Sequence, residues 1–585
     1  MEVAEVVQRK AGMRLRVGFG TDGALLEPIE PDPVLPLGAF VAIDRVGEHH
    51  ARVRFGADGQ PLVIAAADTA LAEVHRIAAR CGLRPGYAPE VQAETDALLA
   101  APGIDDPALV DLTALPFVTI DYETSRDLDQ ALHVTRDGDG FGVWYALADA
   151  AYYVRPGSAL FADALVRGTS YYLPGLTVPM LPPELSEGIV SLNPGVDRRA
   201  LVFRMLLDAT GQVRSTELVR ARIHSRAKLT YDGVQAHFDA PARSPLRDRE
   251  FTASLELLAE VGRLRIAHAE ARDVVKYDRI AVRLSLRDAG AERVRIDGEP
   301  RNDVQAWNEQ ISLLTNIEGA RFLAARVDPS TGLAGVFRVH EPPTELELGE
   351  LRGSIDELVK ALELEPTWRW DRARESLGDY IGRLPDEGPR ARLSRALQRQ
   401  AMILGRASYF AITPGPHYGI GAAAYSRFSS PMREIVGVVT KHLALHQLAG
   451  TSVAQSGLTR ALIEAACESG NRSKALQKRA TRDANKLAID QLFTSELERA
   501  PEARTVYDAT VMGLSAAKIY LQLDAPPIEI KLYTVDQAQL LGSTPIATSR
   551  FELRVGKRII RVGDAVRARV HGYDRARDRW VMRLL

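Results

Sequence analysis

The sequence predicts an α+β protein of several domains, and three observations support that class. The chain has 585 residues, more than one hydrophobic core organises, which suggests roughly three to five domains. Strand-like runs dominate the first third of the central segment and long helical stretches dominate the rest, without a βαβ alternation. Both ends of the chain show short alternating strands separated by turns. We therefore expect a central domain of mixed sheet and long helices between two smaller β-rich modules.

The composition excludes several classes of protein. Hydrophobic residues make up 46% and charged residues 26%, which are ordinary globular values. No apolar run is long enough to span a bilayer and the start, MEVAEVVQRK, lacks the apolar core of a signal peptide, so we expect no membrane association. The only cysteines, Cys81 and Cys467, exclude a disulfide framework and indicate the reducing cytoplasm. The formal net charge is −2, so any nucleic-acid affinity must come from local basic surfaces.

The N-terminal 110 residues predict two units. Residues 1–62 alternate apolar and polar positions between turns, which predicts a small β-rich module whose strands include Met13–Phe19, Ala39–Arg45 and Ala51–Phe55. Residues 63–110 show helical spacing over Ala65–Arg80 and Pro89–Ala101 around a glycine-containing turn, the outline of a helix-turn-helix pair followed by a linker. Two interpretations of that pair remain open: a hairpin packed on the central domain, or a surface that contacts nucleic acid.

Residues 111–500 form the predicted central domain, with long helices over Thr252–Val275, Val304–Arg326 and Ala391–Ser408. Residues 501–585 contain five strand-like runs, which match a five-stranded OB barrel. The strands of this barrel carry basic and aromatic residues that suit binding of a single nucleic-acid strand. Among them we select Tyr533 and Arg567 as candidate contacts to such a strand.

A dense group of aspartates marks the candidate active site. Phe117–Leu132 reads FVTIDYETSRDLDQAL, in which Asp121, Asp127 and Asp129 follow an apolar run. Carboxylates so close together repel one another unless cations lie between them. Hard oxygen ligands suit Mg²⁺ or Mn²⁺, ions that commonly promote phosphodiester chemistry. The alternative is a solvated acidic turn without a metal.

The surrounding motifs favour the metal site. The aspartate segment resembles the catalytic signature of the ribonuclease II / ribonuclease R family. Further segments resemble family motifs in the family's order: YALADAAYYVRPG, GTSYYLPGLTVPMLPPELSEGIVSLNPG, HSRAKLTYDGV, FRVHEPP and YSRFSSPMRE. The resemblance covers about Leu115 to Ser495 and implies an RNB-type catalytic domain. The N-terminal region departs from it, because the family usually begins with a pair of cold-shock OB barrels.

The resemblance implies a monomeric 3′→5′ exoribonuclease that hydrolyses single-stranded RNA with a free 3′ end, processively, to nucleoside 5′-monophosphates. It implies that Asp121, Asp127 and Asp129 bind Mg²⁺, or Mn²⁺, which activates the attacking water. It also implies that Arg433 reaches the scissile phosphate. Where the family has a fourth aspartate, this chain has Gln130, which offers a carbonyl oxygen as a ligand but no charge. After Arg433 the chain departs again, with Glu434 where the family usually has a second basic residue.

The resemblance also implies RNA-binding positions. Tyr172 matches an aromatic residue that stacks on the terminal bases, although the adjacent Tyr171 could fill that role. Tyr231 and Glu309 fall where the family reads the ribose 2′-hydroxyl, and a slip of one residue would select Gln310 in place of Glu309. The FRVHEPP motif adds two expected contacts in the RNA channel, Arg338 and His340.

Two other functions remain under consideration. Gln130 raises the alternative of an RNA-binding regulator with a decayed metal site, although the three aspartates and Arg433 favour catalysis. A DNA exonuclease is disfavoured by Tyr231 and Glu309, because a carboxylate that accepts the 2′-hydroxyl distinguishes RNA from DNA.

Overall fold

The structure is a computed structural model of the chain, and it describes residues 2–9, 12–17, 24–29, 35–270, 272, 274–275, 281–286 and 293–585. The N-terminal β-rich module is confirmed. Its strands are β1 Glu2–Arg9, β2 Gly12–Val17, β3 Ala24–Pro28, β4 Phe40–Val46, β5 His50–Val53 and β6 Val63–Ala65. Residues 18 and 19, the end of one predicted strand, lie outside the described residues.

Five of these strands close into a barrel. Their order is β1-β2-β3-β5-β4, and β4 pairs back onto β1. All pairings around the ring are antiparallel except β3–β5, as in an OB barrel. The alternation in the sequence points one face of each strand inward, where Val6, Leu15 and Ile43 are buried.

The two predicted helices follow as α1 Ala70–Arg80 and α2 Pro89–Ala100. Thr69 caps α1, since its hydroxyl accepts from Ala72 N. Val74 and Ala78 of α1 belong to an apolar cluster with residues of the long helix Arg460–Leu497, and α2 contacts the helix Ala159–Arg167. Both helices therefore pack on the central domain, which supports the first of the two interpretations.

The central domain is built on a mixed sheet whose order is β13-β10-β9-β8-β14-β7. The strands are β7 Val110–Asp111, β8 Phe117–Asp121, β9 Gln130–Asp137, β10 Gly140–Ala148, β11 Tyr171–Leu173, β12 Leu176–Val178, β13 Asp197–Leu207 and β14 Val213–Thr230, with β11 and β12 forming a separate hairpin. The 18-residue β14 pairs antiparallel with β13 and then parallel with β8. The β8 strand is buried along Phe117–Ile120, so its end is fixed rigidly in the domain.

Two helices of the described central segment lie between strands β10 and β13 in the chain, and eight follow β14. They are α3 Ala150–Tyr153, α4 Ala159–Arg167, α5 Tyr231–Asp239, α6 Thr252–Glu270, α7 Asp303–Ala324, α8 Glu345–Ala361, α9 Leu377–Gly382, α10 Ala391–Met402, α11 Ile435–Ala449 and α12 Arg460–Leu497. Among them lie two two-stranded antiparallel sheets, one of β15 Ala281–Leu286 with β16 Val294–Glu299 and one of β17 Phe337–Val339 with β18 Tyr409–Ala411. The predicted helix Ala391–Ser408 is wrong at its end, because helical structure stops at Met402 before the turn at Gly405.

The C-terminal OB barrel is confirmed. Its strands are β19 Val506–Leu514, β20 Lys518–Leu523, β21 Glu529–Tyr533, β25 Ala565–Asp574 and β26 Arg579–Leu584, in the order β21-β20-β19-β25-β26. An insertion of α13 Thr534–Leu541 and the sheet of β22 Pro545–Ser549, β23 Glu552–Val555 and β24 Arg558–Arg561 was not predicted. Every helix in the described part of the chain is too short or too polar to traverse a membrane. The residue boundaries assigned to the domains stay a prediction.

Candidate active site

Asp121 is the last residue of β8, so its carboxylate lies where this inner strand of the central sheet ends. Parallel pairing with β14 places Asp121 opposite Thr230. The polar loop that follows folds back over this carboxylate, whose Oδ1 accepts from Tyr122 N at 3.1 Å and from Ser125 Oγ at 2.8 Å. Lys228 of β14 donates to the Glu123 carbonyl at 2.8 Å, which holds the loop against the sheet.

The other two aspartates lie where the loop enters β9. Leu128 between them is buried, and its backbone N–H donates to Ser191 Oγ at 2.9 Å. Asp127 accepts a hydrogen bond from the hydroxyl of Tyr172 at 2.7 Å. Asp129 is only 1% exposed, and its Oδ1 accepts from Met432 N at 3.0 Å. The apolar side chain of Leu128 therefore fixes the direction of both neighbouring carboxylates.

Arg433 provides the cation that this acidic group requires. Its Nε forms an ion pair with Asp129 Oδ2, and its carbonyl accepts from Ser170 N at 3.0 Å. Burial opposes the charge of Arg433, but Asp129, Asp127 and Asp121 outweigh it and raise the pKa of the guanidinium. Burial also raises the pKa of Asp129, against the opposite effect of Arg433. The side chain of Arg433 is 34% exposed, and its two terminal nitrogens hold no hydrogen bond among the described residues.

Gln130 is the first residue of β9 and connects two parts of the site. Its amide oxygen accepts a hydrogen bond from the Tyr145 hydroxyl, and its amide nitrogen donates to the Ser429 carbonyl. The oxygen keeps one further lone pair for a cation. Gln130 as a metal ligand stays a prediction.

The donor set has the chemistry of a magnesium site, because it consists of carboxylate oxygens and one amide oxygen. Asp121 Oδ2 and Asp127 Oδ1 hold no hydrogen bond within the described part of the chain, whereas both oxygens of Asp129 are occupied. Among the described residues, no three acidic, histidine or cysteine side chains converge on one point as metal ligands do. The donors therefore fit a hard cation by their chemistry, while Asp129 is occupied by Arg433 and by the Met432 N–H.

The two candidate tyrosines of β11 have different surroundings. Tyr172 is 55% exposed beside Asp127, whereas Tyr171 is buried in the apolar cluster formed with α1 and α12. Adjacent strand residues point to opposite sides, which explains the difference. The position open to a base is therefore Tyr172.

The structure brings Tyr231 to the site more closely than Glu309. The Tyr231 ring lies 5.3 Å from that of Tyr122, and its pKa is raised to about 12, chiefly by burial and then by the charge of Asp121. Its hydroxyl accepts from Asn308 Nδ2 at 3.2 Å. Glu309 instead forms an ion pair with Arg301. The sequence reasoning missed Asn308, since the slip of one residue that it considered selects Gln310 on the other side of Glu309.

The remaining predicted RNA contacts lie in other places. Among the described residues His340 contacts Gly419, whose N–H donates to its Nδ1 at 3.1 Å, and the rings of His417 and Tyr418, but none of the three aspartates. Arg338 donates to Ser408 Oγ at 3.0 Å.

In the C-terminal barrel, Tyr533 lies 3.8 Å from the guanidinium of Arg579. Arg567 lines a cavity of about 200 Å³ together with Arg392 and Arg558. Both predicted contacts of this barrel thus lie beside other cations.

Asn316 organises the segment that carries Arg433, and the sequence reasoning missed it. Its amide nitrogen donates to the Tyr425 hydroxyl at 2.9 Å and to Ser429 Oγ at 2.8 Å. Its oxygen accepts from the backbone N–H groups of Phe428 and Ser429. No sequence pattern marked this residue within the predicted helix Val304–Arg326, because its burial, which makes partners for the amide necessary, is seen only in the structure.

The central part of the chain matches a known family. Residues 109–449 match the RNB domain. Over 331 residues the chain is 34% identical to ribonuclease R of Vibrio parahaemolyticus, covering 55% of this chain and 37% of the relative. Over 418 residues it is 31% identical to exoribonuclease 2 of Cronobacter sakazakii, covering 71% and 61%. The chain therefore spans less than two thirds of the length of these relatives.

Solved structures share the fold of the whole chain. Mycoplasma genitalium RNase R, in complex with ribose-methylated single-stranded RNA, has a TM-score of 0.79 at 18% identity, covering 100% of this chain and 89% of that one. Yeast Ssd1, described as a pseudonuclease, has a TM-score of 0.59 at 13% identity, covering 91% and 65%. The fold alone therefore leaves catalysis open.

Fold and site together define a multidomain protein of the ribonuclease R type, in which a central mixed domain carries the acidic site between two small barrels. The chain belongs to the RNB domain family, as its sequence motifs indicated.

Proposed function

We propose that the protein is a 3′→5′ exoribonuclease that hydrolyses single-stranded RNA to nucleoside 5′-monophosphates. The observation that carries the proposal is the contact of Arg433 with Asp129, which places a guanidinium beside the aspartates. Family membership and the two ribonuclease-named relatives support the same activity.

The chemistry assigned to this chain begins with its carboxylates. Asp121, Asp127 and Asp129 would hold Mg²⁺ or Mn²⁺, which lowers the pKa of a bound water and stabilises the leaving 3′-oxygen. The free terminal nitrogens of Arg433 suit bidentate contact with the scissile phosphate, where negative charge develops. For the phosphate to bind to Arg433 and a metal ion to Asp129, the ion pair between these two side chains must loosen or break.

The aromatic and amide groups around the aspartates suit binding of RNA. Tyr172 exposes its ring beside Asp127, and stacking on such a ring tolerates any base. Tyr231 and Asn308 form a hydrogen-bonding pair near Asp121 that suits reading of the ribose 2′-hydroxyl, and Glu309 follows them at the surface. We propose that this group distinguishes RNA from DNA.

Incubation of a single-stranded RNA that has a free 3′-hydroxyl, first with Mg²⁺ and then with Mn²⁺, tests the proposal. The expected products are nucleoside 5′-monophosphates, with a shortening strand that keeps its 5′ label. A matched DNA oligomer is the control and should remain intact. Binding of RNA without release of monophosphate under either ion would instead establish the RNA-binding regulator, an alternative that the retained aspartates and Arg433 do not favour.

A further inference from the structure

Next to Arg433 the chain places a buried carboxylate between two cations. Glu434 is 7% exposed, and its Oε1 accepts from Lys474 Nζ of α12 at 2.8 Å. Its Oε2 lies 3.2 Å from Arg427 Nε. Burial by itself raises the pKa of Glu434, but Arg427 and Lys474 outweigh it and lower the value to about 2. The carboxylate is therefore a permanent counter-charge for both cations.

A third cation near this group lacks a carboxylate partner. Arg338 donates to Ser408 Oγ, and among the described residues no carboxylate forms an ion pair with it. Burial lowers the pKa of Arg338 and the positive charge of Arg427 acts in the same direction, against the opposite effect of Glu434. Two cations thus contact one carboxylate, a third acts on it through its charge, and the repulsion among the cations is only partly compensated. A buried excess of positive charge is stabilised by an anion.

The cations of this cluster are more accessible than the carboxylate. The side chains of Arg427 and Lys474 are 28% and 26% exposed, similar to the 34% of Arg433. Glu434 lies deeper, so a ligand that approaches Arg433 meets positive charge first. Glu434 directly follows Arg433 in the chain, and Ser170 and Thr169 donate hydrogen bonds to the Arg433 carbonyl between them.

We propose that Arg338, Arg427 and Lys474 form a second phosphate subsite, which binds a backbone phosphodiester of the RNA strand adjacent to the one at Arg433. This inference rests on the proposed function. Guanidinium groups match phosphate oxygens in pairs, and an ammonium group adds a point charge. Glu434 positions Arg427 and Lys474 in the absence of RNA, and it weakens RNA binding because it repels the same phosphate.

The direction in which one substitution changes the Kd for RNA distinguishes a phosphate subsite from a purely structural role. Glu434→Gln keeps the size of the side chain but removes its charge, and its amide oxygen can accept from only one of the two cations that Glu434 now binds. The Kd for a single-stranded RNA oligomer, measured in EDTA so that no turnover occurs, should fall by about three- to ten-fold. A double variant, Arg427→Gln with Lys474→Gln, should raise Kd and reduce the slope of log K against log salt by about 0.7, the effect of one phosphate contact. Arg460→Gln is the matched control, since it removes an ion-paired cation near the start of α12.

An unchanged or higher Kd for Glu434→Gln would overturn the proposal, provided that the melting temperature of the variant matches wild type. If that variant is unstable, Lys474→Arg decides, because it keeps the charge. Wild-type affinity for Lys474→Arg, against a loss for Lys474→Gln, supports the subsite, and equal losses contradict it. A failure of the proposed function would appear separately, as an absence of monophosphate release by wild-type protein that still binds RNA in EDTA.

Discussion

The central site and the C-terminal barrel hold their charged side chains in different ways. In the central site, Asp129 and Arg433 contact each other, and backbone groups from separate segments hold both in place. In the barrel, Arg558 and Arg567 line an open cavity and form no ion pair among the described residues. Catalysis requires side chains fixed to within fractions of an ångström, whereas capture of a flexible strand requires accessible charge. The difference supports the proposal that the central site performs the chemistry and that the barrel supplies affinity.

The largest expected effect is a loss of kcat after a substitution of Arg433 in the central site. Arg433→Lys keeps the charge but loses the paired terminal nitrogens, so kcat should fall by roughly 10²- to 10³-fold. The measurement is the single-turnover release of monophosphate with enzyme in excess, and Arg460→Gln serves as the control. A kcat within a few-fold of wild type would remove Arg433 from the chemistry.

The next prediction addresses the barrel. The double variant Arg558→Gln, Arg567→Gln should raise KM on a long RNA by roughly ten-fold and reduce the salt slope by about 1.4, for two phosphate contacts. It should leave kcat on a short oligomer unchanged, because the aspartates lie elsewhere. The comparison between the two regions fails if kcat falls while KM stays constant.

A smaller effect is expected at Gln130, where the family has a fourth aspartate. Gln130→Asp adds a carboxylate beside Asp129, and the rate should saturate at lower Mg²⁺ concentration. Titration of the initial rate with Mg²⁺ measures this shift. Gln130→Glu, with its longer side chain, is the comparison variant. An unchanged titration for Gln130→Asp would show that position 130 is not near the ions.

The smallest expected effect is on the stability of the protein and its dependence on pH. Lys441 of α11 is fully buried and donates to the Ala148 carbonyl, and burial lowers its pKa to about 7 from 10.5. Between these values the unfolded chain binds the proton that the folded protein has lost, so stability rises with pH, by at most about 1.4 kcal/mol per pH unit. Lys441→Met should remove this rise. Urea midpoints at pH 7, 8 and 9 test it, and parallel pH profiles for the two proteins would contradict it.

Much of the fold was predictable because local patterns determine it. The alternation in both end modules and the apolar run before Asp121 specify strands that the structure contains. Closure of the first barrel depends on the distant pairing of β1 with β4, which no local pattern encodes. Of the inserted strands, β22 and β24 do not alternate and β23 alternates over only four residues, so their pattern was not distinctive.

The site was predictable where a motif is continuous in sequence. Asp127, Asp129 and Tyr172 fall within such motifs, and the structure brings all three together. The cluster around Glu434 joins residues that are up to 136 positions apart in the chain, Arg338 and Lys474 among them. Glu434 looked like a departure from the family pattern, because its compensating cations lie on other elements.

The central claim is that the acidic group around Arg433 hydrolyses RNA from its 3′ end. Asp129→Asn tests it most directly, since it removes the carboxylate that Arg433 contacts while keeping the size of the side chain. Release of monophosphate from a 3′-hydroxyl RNA in Mg²⁺ and the Kd for the same RNA in EDTA are measured on both proteins. The account predicts no detectable release by the variant and a Kd within a few-fold of wild type. Release by the variant at a rate within a few-fold of wild type would contradict it.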